Sequence, residues 1–485
     1  MFFLLHHIIP QPNDLRFTGG VCPAQRPLVI RDAAVPPEGY TLTVSKEGIS
    51  IRCSTEKGRF YAAQTLRQLR NSDGTLPCCV ISDAPRFAYR AFMLDSARHM
   101  QTVDEIERLI DAAALYKFNV FHWHLSDDQG YRIESERFPR LNEIASYRAM
   151  HGFGSLDRTR YGGFYTKNEI RAVVAYCEQR HITVIPEIDL PGHTKAILAA
   201  FPALSCRGDR VQPETRAGVF REIMCAGSDE TLRFCCALLD EVCELFPGPY
   251  FHIGGDEAPK HRWQQCDKCK ERMASAHLDS FEALQGDFIN RLATHLRQNG
   301  KRAITWNESL QGGNLAPDVI TADWMDREIL CVRRANNGGD VIMEDFFHYY
   351  LDYPYAMTPL KKTYDFDPLP AGLCEAGKQH ILGVETPLWT EFVEDFGHLC
   401  DMMFPRMMAV AERGWTREAL CDHADFSRRA EAHRALLDAM GISMLPQAQW
   451  DPQPLLRLQK LAQHYKKTFN KETILSFLQP KDDAD

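Results

Sequence analysis

The chain has 485 residues, of which 45% are hydrophobic and 25% charged, with a formal charge of −9 at pH 7. That length exceeds a single small core and implies one large domain with smaller attachments. The negative balance disfavours nucleic acid and anionic membrane as partners, since both are held by a basic face, and no apolar run is long enough to span a bilayer.

The opening MFFLLHHIIPQPNDLRF lacks a basic n-region, and Pro10 and Gln11 stand where a signal peptidase needs small residues, so it reads as a first strand. Without a leader, the 16 cysteines read as reduced thiols of a cytoplasmic protein, many of them buried, as Cys235, Cys236 and Cys243 are within a helical pattern. From Tyr40 to Leu69, two alternating strands joined by a Lys46-Glu47-Gly48 turn lead into a helix. Residues 1–85 therefore form a small α+β domain, and Asp83-Ala84-Pro85-Arg86 reads as the linker that ends it.

Short apolar runs then begin at Ala91, Phe118, Ile182, Tyr250, Ala303, Val319, Asp340 and Ile381, alternating with amphipathic helices. Eight such runs close a (β/α)8 barrel, an α/β fold of the TIM type, over residues 86–420. Helix starts agree: Thr102 with Glu105 and Thr166 with Glu169 are capping boxes, and Gly300 ends the helix before the fifth run. A doubly wound sheet shares the alternation, but no glycine-rich phosphate loop follows the first run. Residues 421–485 read as a charged helical extension whose acidic end, after Gln447, is a candidate interface; the oligomeric state is open.

The fourth run, Phe251-His252-Ile253-Gly254-Gly255-Asp256-Glu257, ends in two glycines and two carboxylates at the barrel end where such folds keep their chemistry. Glycines permit close backbone approach, and neighbouring carboxylates cannot both ionise freely, so one holds its proton toward neutrality and can act as a general acid. An isolated acid pair is as often a solvated helix cap. Here further polar strand ends accompany it (Asp95, Asp127, Asp128, Glu187, Asp189 and Glu308), with Trp306, Trp324, Tyr350 and Trp389. Aromatics beside acids are a sugar-binding composition, because pyranose C–H faces stack on rings while hydroxyls pair with carboxylates.

Two rival patterns stand beside this one. His122 and His124 alternate on one strand and face the same side, as in the metal-binding strand of amidohydrolase-type barrels; His193, His252 and Asp323 could complete such a set. Against it, no lysine stands where a bridging carbamate belongs, and His252 lies mid-strand. Separately, Cys266 and Cys269 have C-x2-C spacing, and Cys206 and Cys225 lie in the preceding βα loop, a set that could hold a structural zinc without catalytic duty.

With these residues located, the chain resembles the β-N-acetylhexosaminidases of glycoside hydrolase family 20. The matching text is LDSARHM, NVFHWHLSDDQGYRIES, IPEIDLPGHTKA, YFHIGGDEAPKHRW, YYLDYP, LWTEFV and PRMMAVAERGW, and Tyr40 to Leu69 looks like the family's small α+β domain, so the resemblance covers roughly Tyr40 to Ile442. The resemblance implies exo-hydrolysis of a terminal β-linked N-acetylglucosamine or N-acetylgalactosamine from an oligosaccharide or glycoconjugate. It also implies retention, with the sugar's own 2-acetamido oxygen as nucleophile and no cofactor for the chemistry. On that resemblance Glu257 is the acid and later the base, Asp256 orients the acetamide and stabilises the oxazolinium, and Tyr350 hydrogen-bonds the acetamido oxygen. Arg98, Asp352 and Glu391 take ring hydroxyls, Trp306 and Trp324 wall the acetamido methyl, and Trp389 forms the floor. Asp127 and His193 support Glu257. The remaining alternative is a lapsed, carbohydrate-binding barrel, which measurable turnover would eliminate.

Overall fold

The computed structural model describes residues 6–150, 159–325 and 329–468. Met1–Leu5 of the expected first strand, and the end of the acidic tail beyond 468, lie outside the described residues.

The first strand is β1 (Asp14–Pro23), later than the apolar opening suggests. Residues 6–13 are irregular, yet Ile8 and Ile9 are fully buried. Their alternation is satisfied by packing instead of pairing. The small domain continues with β2 (Leu28–Arg31), β3 (Tyr40–Ser45), β4 (Gly48–Cys53), α1 (Glu56–Leu69) and β5 (Thr75–Asp83). Its sheet order is β1-β5-β3-β4-β2, antiparallel except where β2 meets β4. Along β3 buried and half-buried residues alternate, the period of a strand with one face on a core. Thr55 caps α1 by accepting the Gly58 N–H.

Eight parallel strands then close a barrel: β6 (Tyr89–Asp95), β7 (Val120–His124), β8 (Thr183–Glu187), β9 (Tyr250–His252), β10 (Arg302–Trp306), β11 (Ile320–Asp323), β12 (Val341–Met343) and β13 (Ile381–Leu388). They fall on the eight expected runs. The longer helices outside them are α2 (Val103–Leu115), α3 (Lys167–Glu178), α4 (Asp229–Cys243), α5 (Phe281–Gln298) and α6 (Arg406–Trp415). Both expected capping boxes form, at Thr102 and Thr166, and Gly300 takes φ +72° just past α5. A helix α7 (His423–Ala432), short helical pieces and a 15-residue helix (Pro454–Thr468) follow the barrel. Among the described residues no helix is long and apolar enough to cross a membrane.

Asp83 is not a solvated linker acid. It ends β5 with its side chain buried, where Oδ2 accepts from Tyr40 (2.8 Å), Lys117 (3.1 Å) and Trp415 Nε1 (2.9 Å). Lys117 belongs to the turn between α2 and β7, and Trp415 ends α6, so one carboxylate joins the small domain to the first and the last long helices of the barrel where they meet. Burial pulls the Lys117 ammonium below its ordinary pKa, against the pull of Asp83. A second joint fixes the chain start. Arg429 of α7 makes a bidentate pair with buried Glu412 (2.7 and 2.8 Å), which also takes the Gln11 N–H (2.8 Å), while Arg429 reaches the Ile8 carbonyl (2.9 Å).

Asp83→Ala leaves a lysine buried without its counter-charge and should lower the unfolding free energy by about 3–5 kcal/mol. Asp83→Asn, which keeps an acceptor, should cost less; denaturant melts of the two variants check the order.

Candidate active site

Strand β9 ends at His252, and the chain turns back on itself through residues that need unusual backbone conformations. Gly254 and Gly255 have φ of +63° and +103°, and Glu257 has φ +44°. A Cβ on Gly254 would lie 1.7 Å from Asp189 Oδ1, and one on Gly255 would lie 2.5 Å from Thr305 Oγ1. The two glycines are therefore demanded by side chains of the neighbouring strand ends, not by solvent exposure. Every turn in this loop is pinned. Gly255 N–H donates to Asp189 (3.1 Å), Thr305 Oγ1 donates to the Gly254 carbonyl (2.6 Å), and Gln285 Nε2 donates to the Gly255 carbonyl (2.6 Å). Glu257 N–H donates to Glu308 Oε2 (3.1 Å), which anchors the one residue here that holds a left-handed conformation despite its side chain.

His193 is the electrostatic hinge of the site. Its Nδ1 lies 3.2 Å from Asp127 Oδ1 and 3.1 Å from Asp128 Oδ2. Its Nε2 lies 3.6 Å from Asp256 Oδ2 and 3.4 Å from Glu257 Oε2. Burial opposes charge on this ring, but Asp127 and Asp256 outweigh it and hold its pKa well above the ordinary histidine value. Burial, reinforced by the Glu257 charge and offset by His193, raises Asp256 to about 6. Burial and the Asp256 charge also push Asp189 well up and Glu308 to about 8, so protons gather around the pair.

Asp256, Glu257 and His193 form one wall of a cleft of about 150 Å³. Trp324, Tyr350 and Phe346 form a second wall, with Trp324 and Tyr350 stacked at 6.1 Å and 25°. Arg98, Asp352, Tyr353, Trp389 and Glu391 complete it. The Arg98 guanidinium lies 4.9 Å from the Trp389 ring centre and is held by Asp127 (2.5 Å), Gln129 (3.0 Å) and Asp95 (3.3 Å), with Glu391 at 3.7 Å. Two carboxylate oxygens among the lining residues, Asp256 Oδ1 and Asp352 Oδ1, are shielded and without a hydrogen-bond partner. They are acceptors awaiting donors.

The description "Glycosyl hydrolase family 20, catalytic domain" matches residues 87–418, and "Glycosyl hydrolase family 20, domain 2" matches residues 20–84. The chain belongs to glycosyl hydrolase family 20. It is 41% identical over 436 residues to a beta-hexosaminidase of Porphyromonas gingivalis, covering 85% of this chain and 55% of that protein, so it spans about half the length of that relative. A beta-hexosaminidase of Akkermansia muciniphila is 33% identical over 453 residues, covering 89% of this chain and 90% of that one. Among solved structures, a family 20 exo beta-N-acetylglucosaminidase from Vibrio harveyi in complex with N-acetylglucosamine superimposes with a TM-score of 0.82. Its sequence identity is 30%, over 91% of this chain and 79% of that chain.

Within this family 20 barrel, most expected site residues converge on the cleft, but two stand behind it. Asp127 is 1% exposed and joins Arg98, His124 and His193 without lining the cleft. Trp306 is also 1% exposed: its indole N–H donates to Glu187 (2.9 Å) and its ring lies 6.1 Å from Trp389, so it supports the aromatic lining from below. Phe346 and Tyr353 line the cleft and had no role in the sequence; Asp189 and Glu308 stood out only as polar strand ends. Their function is to hold backbone N–H groups, and no motif records which carboxylate an amide will choose.

His122 and His124 point into the barrel, where carboxylates occupy them. His122 Nδ1 is 2.6 Å from Glu385 and Nε2 is 3.2 Å from Glu187; His124 contacts Glu187 through Nδ1 and lies 3.1 Å from Asp127 through Nε2. Despite burial, Glu385 and Glu187 hold His122 well above its ordinary pKa, and Glu187 and Asp127 raise His124 to about 9. Carboxylates lie within ion-pair distance of both nitrogens of each ring, which gives the two histidines a structural place inside the barrel without any metal; the family 20 match favours that place over the amidohydrolase alternative. His252 ends β9 instead of lying inside it, 2.9 Å from Glu187.

Gly254→Ala should destabilise by roughly 3 kcal/mol, since the new methyl meets Asp189 as well as an unfavourable φ. Gly300→Ala, at φ +72° with open space around it, should cost only about 1 kcal/mol. Thermal melts of the pair separate collision from backbone strain.

Proposed function

We propose that this cleft removes a terminal β-linked N-acetylglucosamine or N-acetylgalactosamine from an oligosaccharide or glycoconjugate, with the substrate's acetamide as nucleophile. The observation that carries this reading is Asp256 Oδ1, a shielded acceptor without a partner, on the same wall as Glu257 and within the cleft shared with Tyr350. A 2-acetamido N–H is the donor it lacks.

The steps follow from the chemistry of each group. Glu257, whose side chain is 36% exposed, reaches the solvent side of the cleft and donates its proton to the departing glycosidic oxygen. The acetamido oxygen attacks C1 as that bond breaks, giving an oxazolinium ion. Asp256 accepts the N–H and places its negative charge beside the positive charge that develops on the ring. Burial and the Glu344 charge keep the Tyr350 hydroxyl well above its ordinary pKa, so it stays a donor for the acetamido oxygen. Glu257 then takes a proton from water, which attacks C1 from the face the aglycone left; the bond from C1 to the acetamido oxygen breaks, the acetamide is restored and the configuration is retained. Trp389 supplies the surface under the sugar, while Asp352 Oδ1, Glu391 and Arg98 meet its hydroxyls. His193 and Asp127 act through the pair as positioning residues. The chemistry needs no cofactor, because the substrate brings the nucleophile and the protein the proton. The sixteen cysteines, none of them paired in a disulfide, support a reducing, cytoplasmic setting.

Glu257→Gln should lower kcat on an aryl N-acetylglucosaminide by roughly 10²–10⁴-fold. Asp256→Asn should also slow turnover while still binding sugar. An aryl glucoside lacking the amide should not be cleaved at a comparable rate; if it is, the acetamide is not the nucleophile. The anion of Asp256 is the working form and its pKa is about 6, so kcat/KM should fall as the pH drops below that value. The Asp256→Asn variant should lose this acid limb. Glu308→Ala removes the acceptor for the Glu257 N–H and should lower kcat about 10-fold with little change in KM, whereas Glu308→Gln should retain most activity.

A further inference from the structure

The four cysteines 206, 225, 266 and 269 converge from two different βα loops. Cys225 Sγ lies 3.7 Å from both Cys266 and Cys269, Cys206 Sγ lies 3.9 Å from Cys269, and all four sulfurs fall within 4.8 Å of one another. Four thiolates on a tetrahedron with Zn–S bonds of about 2.3 Å have sulfurs about 3.8 Å apart. A disulfide needs about 2.05 Å, so these are not two bridges.

We propose that Cys206, Cys225, Cys266 and Cys269 bind one zinc ion, which braces the loops after β8 and β9 against each other. Local structure delivers each pair ready for coordination. Cys206 and Cys225 sit side by side because Ser205 and Met224 form an antiparallel bridge and Cys225 N–H donates to the Leu204 carbonyl (2.9 Å). Cys266 is the N-cap of the helix Asp267–Ser275 and Cys269 lies in its first turn, so the thiolates face the positive end of a helix of nine residues. The two backbones touch here: a Cβ on Gly227 would lie 2.2 Å from the Lys268 carbonyl, which leaves room for glycine alone. Trp263 Nε1 donates to the Met224 carbonyl (2.8 Å) beside the cluster.

The brace matters because of what each loop carries. The excursion between Cys206 and Cys225 docks on the strand-end residues behind the cleft: Glu214 N–H donates to the Asp128 carbonyl (2.8 Å), and Gln129 Nε2 donates to the Arg216 carbonyl (2.8 Å). Gln129 in turn holds Arg98, and Asp128 holds His193. The other loop begins at Asp256 and Glu257. A metal at the cluster ties the segment supporting His193 and Arg98 to the segment bearing the acid pair. Binding is balanced as one Zn²⁺ replacing four thiol protons, which leave to solvent.

The test is metal content of the full chain, purified under thiol reductant without chelator from cells grown with zinc. About one zinc per chain is expected, released by an organomercurial that titrates the four thiols. Cobalt-substituted protein should give the intense charge-transfer and visible bands of a tetrahedral four-thiolate site. A Cys225→Ser, Cys269→Ser variant should lose the ion, and stripping the wild-type chain should lower its Tm by several degrees. A folded chain with no zinc, or a cobalt spectrum of nitrogen and oxygen ligands, overturns the proposal. So does undiminished zinc in the double variant. None of these readings depends on turnover.

Discussion

A continuous file of alternating acids and imidazoles runs through the barrel, and the cleft rests on its end. Glu385 meets His122, His122 meets Glu187, Glu187 meets His124, His124 meets Asp127, Asp127 meets His193, and His193 reaches Asp256 and Glu257. Each member is almost fully buried up to the cleft wall, where a lone charge would cost several kcal/mol. Alternation supplies a counter-charge on both sides of nearly every link. Glu187, touched by His122, His124 and His252, lies well below the ordinary carboxylate range although burial works the other way. The arrangement fixes which way each ring faces, and so fixes where the last one, His193, presents its Nε2.

Backbone geometry imposes the second constraint. The acid pair does not sit at the tip of a straight strand but on a reversed segment whose amides are taken by Asp189 and Glu308. That reversal brings Asp256 under cover while leaving Glu257 partly exposed, and the two environments separate what chemically similar groups can do. Burial keeps the first beside a bound amide, and access to water lets the second exchange protons.

Period and chemistry type were legible in the sequence; the partner of each buried polar group was not. Eight apolar runs predict eight barrel strands because each is buried on both faces and written in β-branched and aromatic residues. Gly254, Gly255, Asp256 and Glu257 announce a site because those residue types have few other uses together. The apolar opening misleads because burial without pairing leaves the same alternation as a strand. Asp83 reads as a linker because it precedes Ala84 and Pro85, yet its charge answers a lysine 34 positions away. Trp306 reads as a sugar wall for the reason that it is a tryptophan at a strand end. Its indole N–H is spent on Glu187, and only three-dimensional proximity reveals that.

Trp415 gives the joint between the two parts a further meaning. It closes the last long helix of the barrel, is fully buried, and packs among Tyr40, Leu42, Tyr61 and Ile81 as a member of the small domain's own core. The sheet that precedes the barrel is thus completed by a side chain donated more than 300 residues later. Cutting the polypeptide between the two would expose a tryptophan-sized hole on one fragment and an orphaned ring on the other, so the pair should melt in a single cooperative step.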